Sequence, residues 1–598
     1  MKYLSYKIVI VVLLCLSACL SSCNEDKGNY DYIDIYPVLI GDIGDNYTGT
    51  IGEKLFITPR LRFLRGPEDT VDISQSMAEE YTFTWYYYTG STRGWQAIAE
   101  GRNLELDIAG IFGKPTEGAP YLLAYEVMNK EGVPYRRLFN LLVSTPLAKG
   151  YVALCETDDG FDIDMIAYSS NNNTLTQYKN ILDISESDLP RKGVKPIDIL
   201  TFPDAMAPNP FAVEAAKYSV FILTDQYTTR IKSTDYSWSS SYDISNQIEA
   251  KSYLDTEYIK KGKPIIVQKM RIGYGNTGNA SQMYRTFIYV KDADGTGNWY
   301  ITTNWPAWFL FSVQMNRSER PLGDHRYEPA PYIAVGNQGS MYYDTDTKTF
   351  KLGMFNTSPS DMGNTEILYY TKTLLETPGG VFNFSDPNTG LVYMNERQSS
   401  GSVTAPYAIL NQANGSYKYI EFNLNTTEQN ITNPGTTYKK RACVFPSSSK
   451  IGTAKFFASA PYVNSPWLFY VTNDNRVYKA DIAGGTAVET DITSSIVSDG
   501  YTEITAFKYM TPNTFAAATA VAITAPPAPI QLSLVVGTYN ASKGKNEGGK
   551  LECFLMNEQT TGDLTLAKFP AEPTTDGYQI DMSWTGLGRI VGVDYKQK

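Results

Sequence analysis

LFYVTNDNRVYKADI, residues 468–482, reads as a single hairpin: an apolar and aromatic run from Leu468 to Val471, a polar turn at Thr472 to Asn475, and a returning strand from Val477 to Ile482. Strands that are apolar at successive positions are covered on both faces. A hairpin of this kind is one part of a layered, all-β structure, because two strands alone cannot bury both of their faces.

The same unit recurs on either side. It is present in VALCETDDGFDIDMIA, VFILTDQYTTRIKS, FIYVKDADGTGNWYITT, YIAVGNQGSMYYDTD, LVYMNERQSSGSVTAPYAIL and LVVGTYNASKGKNEGGKLECFLM. Anchored at their turns, the seven units fall at Thr157, Thr224, Asp292, Gly336, Asn395, Thr472 and Gly537. Their mean spacing is roughly 63 residues, which suits a decorated four-stranded blade. The expected architecture over 150–598 is therefore a seven-bladed β-propeller, closed by the terminal GLGRIVGVDYK strand pairing into the first blade. The steps are uneven and no WD or kelch signature is present, so a pair of further β-sandwiches would space hairpins in the same way.

Composition agrees with an all-β chain. Of 598 residues 45 are Tyr and 46 are Gly, the palette of twisted strands and tight turns. Lys and Arg total 52 against 63 Asp and Glu, for a net charge of -11, and no basic block is present. That balance argues against nucleic acid as a partner and against direct docking to anionic headgroups.

Between Tyr30 and Ser144 the pattern changes to alternating strands: KLFITPRLRF, YTFTWYYY, LELDI, YLLAYEVMN and RRLFNLLVS. Alternation buries one face of each strand, and this many short strands over residues 30–145 is the size of a β-sandwich. Trp85 in YTFTWYYY is expected to plug its core. Pro146 and Gly150 in TPLAKG end the last strand and free the backbone before the second region. The segments NYDY (29–32), YTFTWYYY and YEVMNKEGVPYRRLFNLLV resemble the PKD-like domain of Bacteroidota lipoproteins, and GLGRIVGVDYK resembles the end of the same family. Trp85 is followed by Tyr86-Tyr87-Tyr88-Thr89-Gly90 where the usual PKD signature has Asp-Phe-Gly-Asp-Gly. The resemblance implies the sandwich; it does not extend to functions of other PKD domains.

The chain opens with MKYLSYKIVIVVLLCLSACLSSCNED, a basic start, an apolar run too short to span a bilayer and a cysteine ahead of acids. This is the layout of a lipoprotein signal peptide, residues 1–22, with Cys23 as the lipid-attachment residue and 23–29 as an acidic linker. Leu20-Ser21-Ser22 before Cys23 and Leu16-Ser17-Ala18 before Cys19 both suit the peptidase, and the acids Glu25 and Asp26 of Asn24-Glu25-Asp26 favour Cys23. That acidic run resembles the export signal to the outer face of the outer membrane in Bacteroidota. The expected location is the cell surface, lipid-anchored to the outer membrane; a solvated linker facing the periplasm is the other reading. Asp69-Thr70-Val71 matches a short O-glycosylation pattern of the same group.

Catalytic motifs are scarce. His325 is the one histidine, no G-x-S-x-G elbow accompanies it, and a zinc site built from several His or Cys ligands is excluded by count. Asp292-Ala293-Asp294-Gly295 opens like a calcium loop but has Thr303 where Glu is needed, and Pro359 to Glu366 lacks the leading Ser and closing Trp of a sialidase-type box. No metal and no cofactor are expected. Paired carboxylates cannot be picked out by counting. Of the cysteines after the signal, Cys155 and Cys553 either pair or, like Cys443, serve as small buried hydrophobes.

The aromatic cluster Trp299, Tyr300, Trp305 and Trp308 is the candidate ligand surface, since exposed indoles stack on sugar rings or peptide side chains. The competing reading is that these rings fill space between blades. Together these features point to a non-enzymatic surface lipoprotein that binds or hands over a peptide or glycan. Proteins that the chain resembles accompany SusC/SusD-type importers, so a SusC/SusD-type transporter is the implied partner. A propeller hydrolase or lyase and a structural or adhesive surface protein are the alternatives.

Overall fold

The computed structural model describes residues 37–596 apart from 52, 65–68, 75–79, 91–93, 113–119, 170–172, 204–217, 248–265, 276–282, 292–297, 304–310, 315–326, 337–338, 356–368, 375–389, 398–404, 423–438, 462–464, 499, 511–527, 557–559 and 576. The chain is all-β and divides into two units, with the main switch between Leu141 and Leu142. Among the described residues no helix is long and apolar enough to cross a membrane.

The first unit is the expected sandwich. Its largest sheet orders Asn46–Thr50, Pro134–Ser144, Tyr121–Asn129, Tyr81–Tyr88 and Trp95–Glu100, the last four pairing antiparallel. A three-stranded sheet of Val38–Gly41, Arg60–Leu64 and Thr70–Asp72 and a pair of Lys54–Ile57 with Leu104–Asp107 complete it. Trp85 is fully buried, its ring centroid 4.1 Å from that of Tyr125 and 6.0 Å from that of Phe139. Its indole N–H donates to the Gly101 carbonyl at 2.9 Å, so the buried polar edge has a partner. The Trp-centred core follows directly from the period-two pattern.

The second unit builds seven blade sheets in chain order among the described residues. Blade one joins Thr174–Tyr178, Phe161–Ser169 and Gly150–Glu156 to the last strand of the chain, Arg589–Lys596. Blade two is Pro196–Pro203, Tyr218–Thr224 and Thr228–Lys232; blades three to seven open at Ile266–Gly275, Ala334–Gly336, Gly390–Arg397, Ala454–Ser459 and Glu503–Tyr509. Each sheet packs on the next, through cores that join blades one and two, three and four, four and five, five and six, and six and seven. Blades two and three meet where the Val267 N–H donates to Thr228 Oγ1 at 3.2 Å. The ring closes where Val535, Leu551 and Cys553 of blade seven share a core with Tyr151, Cys155 and Ile590 of blade one. The fold is a seven-bladed β-propeller.

Asp292 lies outside the described residues, and the other six sequence anchors fall in six different blades. Two are not turns: Asn395 lies within the strand Gly390–Arg397, and Gly537 lies mid-strand in Leu534–Tyr539. In both segments the polar or glycine residue was the nearest turn signal in a hairpin whose connection is longer than a tight turn. Gly150 is needed for a reason beyond flexibility. Its φ is +143°, and a Cβ there would stand 2.1 Å from the Ile166 carbonyl oxygen.

Cys155, Cys443 and Cys553 are free and buried, so the pairing of Cys155 with Cys553 is not formed. Each instead fills core space. Cys553 lies in the seam between blades one and seven and has its thiol pushed up to about 12, chiefly by burial. Cys155 packs in the same seam, 3.5 Å from Asp164 Oδ2.

Candidate functional site

The first strands of the blades bring ionisable groups together around the propeller axis. Asp594, on the closing strand of blade one, accepts from the Thr201 backbone N–H of blade two at 2.7 Å and from Lys508 Nζ of blade seven at 3.2 Å. One carboxylate therefore ties three blades. Asp198 of blade two lies against the same strand, because a Cβ at Gly592 would stand 2.8 Å from Asp198 Oδ1. Glycine at 592 is what lets the first strands of blades one and two approach so closely.

Lys269 and Arg271 project from the first strand of blade three. A register irregularity between Val267 and Lys269 precedes them, and the strand is regular from there on, so these two share one face while Met270 between them is fully buried on the other. Arg271 Nε lies 3.5 Å from Glu396 Oε1 of blade five, and the Val335 N–H of blade four donates to Glu396 Oε2 at 3.4 Å. Side chains of blades three and five meet only where the blades converge. Glu396 is 7% exposed and Arg271 22% exposed, so the pair is largely but not wholly removed from water.

The electrostatics are unequal across this group. Burial raises the carboxyl of Glu396, while Arg271 works in the opposite direction. The ammonium of Lys269 is lowered, first by burial and then by the positive charges of Arg271 and Lys508, with Asp198 offsetting part of this. Outside its strand pairing, the Lys269 ammonium forms no hydrogen bond or ion pair with a described residue. Arg271 Nη1 donates to the Met270 carbonyl at 2.9 Å, but its Nε has no acceptor in hydrogen-bond geometry.

A second set of charges lies at the other end of the same strands. Arg589 opens the closing strand and bridges Glu156 and Glu503, each at 2.6 Å, while Lys545 also reaches Glu156 at 2.7 Å. These groups are mutually paired and act as a fastening between blades one and seven. Asp162 and Asp164 are occupied in the same way. Asp162 Oδ1 accepts from the Ile163 and Leu182 N–H groups at 2.6 and 2.9 Å, and Asp164 accepts from those of Asn180 and Gly588, each at 2.8 Å. Both are structural acceptors for otherwise orphaned backbone donors.

Of the aromatic candidates, Tyr300 is fully buried in the core between blades three and four, where its hydroxyl donates to the carbonyls of Ala330 and Tyr332. It fills space between blades and offers no surface to a ligand. The reason is register: Tyr300 stands opposite Tyr289 in a sheet whose face packs on Tyr342 of blade four. Trp299 occupies the adjacent position of the strand Asn298–Thr303, opposite Val290. Trp305, Trp308, Cys23, His325 and the segments 292–295 and 359–366 lie outside the described residues. Asp69 and Thr70 are exposed in the sandwich, Thr70 opening an outer strand.

The axial charges were not singled out in the sequence, although a signal for them exists. Gln268-Lys269-Met270-Arg271, Asn395-Glu396-Arg397, Phe507-Lys508-Tyr509 and Val593-Asp594-Tyr595 each place one or two charges inside a strand rich in apolar and aromatic residues. Charged residues rarely occupy such positions without a partner.

Comparison with known proteins bears on the first part of the chain. Residues 23–186 match the PKD-like family. The match begins at Cys23, spans the sandwich and runs into blade one of the propeller. No curated protein matches the chain. Among solved structures it is similar to a quinonprotein alcohol dehydrogenase-like protein of Bacteroides thetaiotaomicron, at 13% identity, covering 94% of this chain and 100% of that one, with a TM-score of 0.28. It is also similar to Aleuria aurantia lectin in complex with Fucα1-6GlcNAc, at 9% identity over 63% of this chain and 94% of that one, with a TM-score of 0.26.

Proposed function

We propose that this protein is a surface-exposed outer-membrane lipoprotein that binds a peptide or glycan and hands it to a SusC/SusD-type uptake system, without itself being an enzyme. The observation that carries the reading is the family match starting at Cys23, the residue on which the lipid is expected. It is supported by the order of the parts: a signal, an acidic linker, a sandwich and a propeller whose axial charges gather from several blades. In this reading the sandwich next to the lipid is a spacer and the propeller is the ligand-holding body.

The test has two arms. Protease shaving of intact cells digests a surface-exposed chain and leaves a periplasmic one whole. Retention of the detergent-solubilised protein on a SusC/SusD-type bait supports the partnership, whereas elution as a lone species argues against it. Turnover of a glycan or peptide panel by the purified protein would replace this reading with a hydrolase or lyase.

A further inference from the structure

Among the described residues three cations and three carboxylates meet at the axis: Lys269, Arg271 and Lys508 against Asp198, Glu396 and Asp594. Their pairing is incomplete. Lys508 has Asp594, and Asp594 is further engaged by Thr201. Asp198 Oδ1 accepts from the Ile199 N–H at 2.9 Å. Arg271 has Glu396, but at 3.5 Å and without a hydrogen bond from Nε.

Among the described residues the Lys269 ammonium is left over. It shares a strand face with Arg271, lies near Lys508, retains contact with solvent and has no hydrogen-bond or ion-pair partner among the described residues. Three carboxylates balance three cations in charge, but Asp594 and Asp198 are engaged elsewhere, and two neighbouring cations with unfilled donor capacity therefore offer their N–H groups to a further anion. The planar guanidinium and the ammonium together match a carboxylate, which accepts through both oxygens.

We propose that Lys269 and Arg271 form the subsite for a carboxylate group of the ligand. This rests on the reading of the propeller as a ligand-holding body and narrows the ligand to an acid. A uronic acid residue of a glycan and the free carboxyl terminus of a peptide share this chemistry. Asp198 and Glu396 on either side disfavour a second negative charge, so the group recognised is a monoanion.

The test is calorimetric titration of the full-length protein in detergent with four probes: galacturonate, galactose, a short peptide with a free C-terminus, and the same peptide amidated. Binding of an acid probe without its neutral counterpart is expected, and which acid binds distinguishes the two sources. Lys269→Gln should weaken that binding by about tenfold or more. Equal binding of acid and neutral probes, no binding of either acid, or undiminished binding to the variant overturns the proposal.

Should Lys269→Gln fail to fold, the unaltered protein serves. Acid probe should protect Lys269, but not the exposed Lys130, from an amine-acylating reagent, as read by peptide mass spectrometry, and unprotected Lys269 overturns the proposal. Retention on a SusC/SusD-type bait is independent of every one of these outcomes, so a failure here is distinguishable from failure of the wider reading.

Discussion

Thr201 and Asp594 stand 393 positions apart in the chain, yet the backbone N–H and the hydroxyl of Thr201 both donate to Asp594 Oδ2, at 2.7 and 3.2 Å. This contact joins the second blade to the last strand of the protein. The same carboxylate holds Lys508 of blade seven, so the fastening of the ring passes through one side chain. Asp594→Ala should therefore cost about 1.5–3 kcal/mol in urea unfolding, because it strands a backbone donor and a lysine at once. Removal of residues 589–598 should abolish the cooperative transition of the propeller; a truncated chain that melts like the whole would show that the closing strand is dispensable.

Trp85 sits at the centre of the sandwich with its ring against Tyr125 and its N–H on Gly101. Trp85→Ala is expected to destabilise that unit by about 3–5 kcal/mol, and Trp85→Phe by less, since it keeps most of the apolar volume. Limited proteolysis followed by sequencing of the first cuts locates the loss: cleavage should appear between residues 37 and 141 before it appears in the propeller.

Arg271 and Glu396 meet across a blade. Removing one partner leaves an uncompensated charge in a largely buried place, and such changes cost about 3–5 kcal/mol. Arg271→Met and Glu396→Met made singly should each be more destabilising than the pair together, a coupling that a double-mutant cycle reads directly. Additive losses would mean that the two side chains do not depend on each other.

Burial of Cys155, Cys443 and Cys553 without a bridge predicts that each of these three thiols is titratable once the protein is denatured without reductant. In the native protein the same thiols should react slowly, since burial pushes Cys443 up to about 11 and Cys553 to about 12. A count of one would show that two of them pair.

Asp162 has its carboxyl raised from 3.8 to about 6, mainly by burial, although Leu182, Ile163 and Arg191 act the other way. The folded protein therefore holds this proton more tightly than the unfolded chain. The stabilisation it contributes is present below about pH 4 and is lost as pH rises through about 6, amounting to roughly 2–3 kcal/mol at most. Unfolding measured from pH 4 to pH 7 should show this fall, and Asp162→Asn should flatten it.

The sequence determined a good deal by itself. The period-two pattern around Trp85 pointed to a sandwich, and the recurring hairpins pointed to seven blades with GLGRIVGVDYK able to close the first, because strand patterning and turn chemistry are local properties; the same hairpin spacing also suited further sandwiches, and only the ring of sheets decided between them. The tertiary structure decided what local pattern leaves open. Tyr300 reads equally well as a platform or a plug until its register against Tyr289 and its packing on Tyr342 bury it. Lys269, Arg271, Glu396, Lys508 and Asp594 are scattered over blades three, five, seven and one, and only ring closure makes them neighbours. A site assembled from one or two residues per blade has no spacing motif to find, since its members are brought together by the geometry of the ring and not by the order of the chain.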